Sequence, residues 1–427
     1  MISQQTTVPE GGFVRAIGRW DLTAAVVNGV IGSAVFGLPA VLAATTGALS
    51  PLAVFAAGLG IALIALCFAE VGSRFREHGG VYLYTRTAFG PLVGFEVGWL
   101  LIWTRVLSAA ANLNLFVLYL AELWPDVAAG APRAIVMLVL AGSVAITNVI
   151  GVRGATWAID FWTIAKLVPL VLLIVLGIPQ VDADTLAGQA VTEPDWTQAI
   201  LIMMFAFGGF ESALLPAGEM RDPKRDLAFA LLVGLAIVAT VYVLVQLVVV
   251  GVVADASAAR APLARALGIL LGPPGLALAS IAAMVSVYGW TTGATLAQPR
   301  VIHAMAARGE LPGTLAYVHP RFRTPAFAIL AFVAASLALA LAGSFASNAT
   351  FAAIVRLVYY ALTCAALIVL RRRGGEAPGF RLLAGPLVAV LGIGFCAWLL
   401  TTRTFEQLWI LVALIAAGLP FYLFRRK

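Results

Sequence analysis

Two stretches of this 427-residue chain combine residue types that would expose main-chain groups where a helix is expected to hide them. The first is Asn28-Gly29-Val30-Ile31-Gly32-Ser33-Ala34-Val35-Phe36-Gly37-Leu38-Pro39. The second is Phe205-Ala206-Phe207-Gly208-Gly209-Phe210-Glu211-Ser212. Each interior glycine costs a helix about 1 kcal/mol relative to alanine. A spanning helix is therefore expected to unwind near Gly32-Ser33-Ala34, and a second near Gly208-Gly209. Bare main chain is tolerated in hydrocarbon only where protein buries it or it lines a cavity. The freed amides and carbonyls can then face a substrate. Two glycine-interrupted segments in corresponding positions of two halves point to the binding site of a secondary transporter.

Four charged residues, Arg105, Lys166, Glu211 and Arg356, fall near the middle of apolar segments. A charge there costs about 2.5–3.5 kcal/mol or more on insertion scales and is a functional candidate by default. Glu211 directly follows the second break, where burial would raise a carboxyl pKa and a neighbouring arginine would lower it. It is expected to act in pH-dependent gating or proton coupling; the competing reading is a structural ion pair with Arg105. Arg356, in Val355-Arg356-Leu357-Val358-Tyr359-Tyr360, is expected in a structural or gating ion pair outside the pocket. Glu70, Glu96 and Asp160 lie near inner segment ends and read as interfacial.

The elements that must position these residues are spelled out by composition. The chain is 62% hydrophobic and 11% charged, where soluble chains are near a quarter charged. Most of it is expected in a bilayer. Twelve apolar segments have the length of about 20 residues that spans one: 22–47, 51–73, 91–121, 133–151, 155–178, 196–218, 227–253, 275–300, 325–343, 348–370, 385–401 and 405–423. Their connections are too short for a soluble domain. Of the 27 basic residues, twenty fall at the ends and loops of one side, four on the other and three within segments. The positive-inside rule then puts both termini in the cytoplasm, in a multi-pass protein of the cell inner membrane. Met1 to Gly12 lacks the apolar core of a signal peptide and reads as a polar tail.

Several functions are disfavoured. The +7 net charge is gathered on one membrane side, which argues against nucleic acid as a partner. The three cysteines lie in apolar segments and the three histidines lack ligand spacing, so no disulfide framework, metal or cofactor is expected. An integral membrane enzyme would need a metal cluster or paired carboxylates. A channel would need repeated pore-lining rings, and nothing repeats that way.

The chain resembles the amino acid–polyamine–organocation superfamily of transporters. The resemblance rests on Ile31 through Pro39, Gly79-Gly80-Val81-Tyr82-Leu83-Tyr84, Phe207 through Ser212, Glu219 through Asp226, and Arg300 through Pro312, in order on twelve segments. It implies an all-α membrane protein with the leucine-transporter fold. In that fold 1–20 is a cytoplasmic tail and 21–178 and 196–372 are inverted repeats of five helices. Two accessory helices and a cytoplasmic end occupy 385–427. The loops 76–84 and 305–312 suit re-entrant or surface helices, with plain polar connectors as the alternative. The implied activity is sodium-independent secondary transport, by proton symport or exchange, of a neutral L-amino acid. The alternative is exchange of cationic or acidic amino acids or their amines. No obligate partner subunit is expected, since a partner-linking cysteine should lie in an outer loop.

The resemblance also implies site residues. The substrate carboxylate would meet amides around Gly32, Ser33, Ala34 and Val35, because a helix N-terminus carries about half a positive charge. The ammonium would meet carbonyls of Val30, Ile31, Phe205 and Gly208, next to Gly209. Phe205, Phe207 and Trp290 would wall the side-chain pocket, Trp290 and Phe205 resembling pocket aromatics of the arginine/agmatine exchanger. Where the family usually has Gly-Ser-Gly, this chain has Gly32-Ser33-Ala34. The methyl of Ala34 is expected to narrow the approach and to restrict the main chain if a positive φ is needed. Lys166 resembles a lysine that replaces a sodium ion in proton-coupled and exchanging members. It would donate to carbonyls of the first break and to hydroxyls such as Ser286.

Overall fold

The computed structural model describes residues 18–75, 80–151, 156–211, 223–374 and 378–423, with the side chains of 156–165 and 223–225 excepted. Ser212 and most of the Glu219–Asp226 motif lie outside this set, as do Arg76 through Gly79 and the side chain of Asp160. Sixteen α-helices carry the described chain. The first half holds α1 (Arg19–Val30), α2 (Ala34–Thr46), α3 (Ser50–Gly72), α4 (Gly80–Phe89), α5 (Pro91–Leu123), α6 (Gly130–Ile150) and α7 (Thr156–Gly177). A short α8 (Ala183–Gly188) leads to α9 (Trp196–Ala206), α10 (Pro223–Val252), α11 (Pro262–Leu271) and α12 (Pro273–Ala307). The chain closes with α13 (Ala326–Ala342), α14 (Phe345–Arg373), α15 (Gly385–Thr401) and α16 (Phe405–Leu423). No strand occurs among the described residues. Seven helical stretches among them are long and apolar enough to cross a membrane, and five shorter apolar helices accompany these.

Outward-facing residues are apolar at helical spacing. Ile135, Leu138, Val139, Ile146 and Ile150 line the outside of α6, and Trp409, Ile410 and Val412 that of α16. A soluble protein rarely leaves such continuous apolar surface in water; a lipid-facing bundle requires it. The interior is built around α5 and α14, which pack on each other, and around α10, which packs on α1 and α3. α9 lies against α2, α3 and α14, and so the elements flanking both expected breaks share one core.

The first break falls at residues 31–33, between α1 and α2. Gly37 and Pro39, expected to contribute to it, lie inside the continuous helix α2. Gly37 is instead a packing residue: a methyl there would come within 2.5 Å of the Phe345 ring and 2.8 Å of Leu115. Ala34 opens α2, and among described non-glycine residues only Arg323 has a positive φ. The alanine thus imposes no main-chain strain. Of the two loop motifs, Gly80 onward forms α4, as one expectation had it. Residues 305–307 are the tail of α12 and 308–312 turn without helix, so that second surface helix is absent. α11 has no counterpart among the expected segments; at 10 residues it is too short to span a bilayer.

Candidate functional site

The α1 C-terminus and the α9 C-terminus point their last carbonyls into the same buried region, and a helix leaves its final carbonyls without intrahelical donors. Side chains from three other helices supply donors. Lys166 Nζ, on α7, donates to the Asn28 carbonyl at 2.8 Å. The Tyr242 hydroxyl, on α10, donates to the carbonyls of Val30 at 2.9 Å and Ala206 at 3.3 Å. Arg356 Nη1, on α14, donates to the carbonyls of Met204 at 2.8 Å and Phe205 at 3.0 Å. Its Nε donates to the Tyr359 hydroxyl at 3.1 Å. Of the four carbonyls expected to await an ammonium, those of Val30 and Phe205 are thus already engaged. Those of Ile31 and Gly208 accept no hydrogen bond among the described residues.

Glycines let the two breaks meet. Gly209 has φ +117°, which only glycine adopts without strain, and a methyl there would stand 2.5 Å from the Gly29 carbonyl oxygen. A methyl on Gly208 would overlap the Arg356 guanidinium at 1.6 Å from Nη1. Glycine at 208 is what allows the guanidinium to reach the end of α9.

A small cavity lies between the breaks, with about 20 Å³ of room for water. That holds about one water molecule; an amino acid needs the walls to part. Gly29, Val30, Gly32, Ser33 and Ala34 line it from the first break, and Phe205, Ala206 and Gly208 from the second. Arg105, Ser108 and Asn112 close it from α5, Trp290 from α12 and Arg356 from α14. The Trp290 indole lies against Gly32, where a methyl would be 3.4 Å from Cδ1. The Ser33 hydroxyl donates to the Asn112 side-chain oxygen, and Asn112 Nδ2 to the Ser108 carbonyl at 2.9 Å. Ala34 and Val35 head α2, and the first amides of a helix have no carbonyl one turn back to bond.

Val30, Gly32, Ser33, Ala34, Phe205, Gly208, Trp290 and Arg105 therefore come together as cavity walls. Ile31, Val35, Phe207 and Gly209 do not line it. Successive residues at a helix end point in different directions: Ile31, Val35 and Phe207 belong to the apolar core alone, whereas Val30, Ala34 and Phe205 belong to it and also border the cavity. Phe207 packs on Tyr242 with ring centroids 5.5 Å apart, and so it is no pocket wall in this conformation. Lys166 reaches the first break, but no hydrogen bond joins it to Ser286, which is buried on α12. Glu211 is buried beside the cavity, with Oε1 3.4 Å from Arg105 Nη2. Its Oε2 accepts from the Gly209 amide at 2.9 Å and the Tyr360 hydroxyl at 3.4 Å.

Arg356 is the largest departure from expectation: it lines the cavity from which it was excluded. Tyr242, Ser108 and Asn112 were not singled out either. For Ser108 and Asn112 the signal was available, because with Arg105 they recur at helical spacing on one face of an apolar segment; for Tyr242 there was none. Near Arg105 a second, larger cavity of about 360 Å³ begins. It is lined by Tyr82 of α4, Gly98 of α5, Gln298, Arg300 and Met305 of α12, and Glu211.

A bundle that is helical throughout its described residues, in which the α1–α2 break meets the end of α9 at a polar cavity, has the build of a membrane permease. The chain belongs to the amino acid permease family, of the amino acid–polyamine–organocation superfamily, whose profile matches residues 17–418. It is 28% identical to a serine/threonine exchanger of Bacillus subtilis, over 98% of each chain. It is 26% identical to a branched-chain amino acid permease of the same organism, covering 99% of this chain and 95% of that one. It is also 26% identical to a large neutral amino acids transporter small subunit of Oryctolagus cuniculus, over 96% of this chain and 80% of that one. The family and these relatives are transporters and not enzymes.

Proposed function

We propose that this chain is a secondary active transporter that carries a free L-amino acid by alternating access, without sodium, as a proton-coupled symporter or an exchanger. The observation that carries this reading is the meeting of the α1–α2 break with the end of α9, with Gly209 against the Gly29 carbonyl and a polar cavity between them. The head of α2 suits a carboxylate. The carbonyls of Ile31 and Gly208, and the spare lone pairs of those already bonded, suit an ammonium. Lys166, donating to the Asn28 carbonyl, is a basic group at the first break, which supports independence from sodium. The proposal includes the twelve-span leucine-transporter fold, with repeats at 21–178 and 196–372 and accessory helices at 385–427. Both termini lie in the cytoplasm. It also includes function without a partner subunit: Cys67, Cys364 and Cys396, the chain's three cysteines, are buried and offer no outer-loop linkage.

The named substrates of the relatives are mostly neutral, which favours a neutral side chain. The charges around the cavity favour the acidic alternative, for the reason developed below. Purified protein in liposomes tests the common core of both. A panel of amino acids should reveal counterflow of at least one, and replacing sodium with choline should leave it unchanged. The methyl ester of the best substrate should not compete. Equal competition by the ester would remove the α2 N-terminus as the carboxylate site, and dependence on sodium would overturn the coupling.

A further inference from the structure

The walls of the central cavity carry two guanidinium groups, Arg105 and Arg356, and no carboxylate. The carboxylate beside them, Glu211, is already committed: one oxygen pairs with Arg105 and the other accepts from Gly209 and Tyr360. Two fixed positive charges thus share one negative charge, before Lys166 is counted. Burying an uncompensated ion is costly, and a counter-ion with good hydrogen bonds offsets that cost.

The donors of Arg356 show where a counter-ion would bind. A guanidinium has five N–H groups. Nη1 spends its two on the carbonyls of Met204 and Phe205, and Nε spends its one on Tyr359. The two N–H groups of Nη2 have no acceptor among the described residues, although Arg356 is only 2% exposed. The group is also held still, since three hydrogen bonds and the bare face of Gly208 fix its plane. A planar fork fixed in this way suits a carboxylate better than a hydroxyl or an amide.

The α-carboxylate of an amino acid already has a site at the head of α2, on the other break. The unoccupied donors of Arg356 lie at the second break, beside Phe205 and Gly208. We propose that the site selects amino acids whose side chain ends in a carboxylate, and that Arg356 is the specificity-determining residue, with Arg105 contributing charge. This rests on the amino acid transporter reading above and narrows it. Arg356 has a second task in the same place, capping α9, which is why a neutral replacement there changes both selectivity and fold stability.

The test compares side chains of equal shape. In proteoliposomes, glutamate and aspartate should compete at least tenfold better than glutamine and asparagine; a carboxylate-reading site rejects the isosteric amide because a buried charge is then left unpaired. Arg356→Gln should bring the ratio to one or below, and Arg356→Lys should keep a preference for the acids. Should Arg356→Gln fail to fold, the wild-type ratio and Arg356→Lys still decide. Glutamine competing as well as glutamate in the wild type overturns the proposal while leaving amino acid transport intact. An unchanged acid preference in folded Arg356→Gln overturns it as well. If no amino acid in the panel is transported at all, the transporter reading falls and the proposal with it.

Discussion

Arg105 Nη2 and Glu211 Oε1 lie 3.4 Å apart, and Arg105 lines both the small central cavity and the larger cavity beside it. The pair therefore stands between the two spaces. Glu211 also lines the larger one, and its second oxygen holds the Gly209 amide of the broken segment. Loss of the carboxylate's charge would loosen the pair and the break together. Glu211→Gln should flatten the pH dependence of transport more than it changes substrate affinity at a fixed permissive pH. Transport rates measured across pH, with affinities from competition, check this; an unaltered pH profile would leave the pair as packing only.

Lys166 ties α7 to the end of α1 through one hydrogen bond to a carbonyl. Lys166→Ala removes both the cation and the donor and should nearly abolish uptake. The protein should still reach the membrane and elute as a single species on gel filtration. A fully active Lys166→Ala protein would take the residue out of the mechanism.

At Gly209 a side chain faces two penalties. A φ of +117° is sparsely populated by non-glycine residues and costs them about 1–3 kcal/mol, and the methyl would stand 2.5 Å from the Gly29 oxygen. Gly209→Ala should therefore lower the thermal unfolding temperature in detergent and impair transport. Gly209→Ala with wild-type stability would mean that the two breaks separate without cost.

Tyr242 serves both breaks at once through the Val30 and Ala206 carbonyls. Tyr242→Phe keeps the ring against Phe207 and deletes the donor. Leaving buried polar groups unsatisfied costs about 1–3 kcal/mol, and so a clear drop in melting temperature is expected. Substrate at saturating concentration should recover part of it, because an ammonium at the same carbonyls replaces the hydroxyl; thermal melts with and without substrate measure the difference.

The helical, membrane-embedded character of the chain was legible in the sequence, because length and hydropathy are local properties. So were the two breaks: Gly32 and the Gly208-Gly209 pair advertise main chain that cannot stay regular at low cost. The identity of the neighbours was not. Whether Gly37 unwinds a helix or lets Phe345 pack depends on a residue some three hundred positions away, and the placing of Arg356 against Gly208 joins residues about one hundred and fifty positions apart. Phe205 and Phe207 are two residues apart at the end of one helix and both join the core, yet only Phe205 also lines the cavity. That difference follows from the direction in which the helix ends, which no local pattern encodes. The sequence alone determined that charges sit in the apolar interior. Only the tertiary structure decided which carbonyls they bond and which donors are left for a ligand, because those pairings join helices distant in the chain and are chosen by packing.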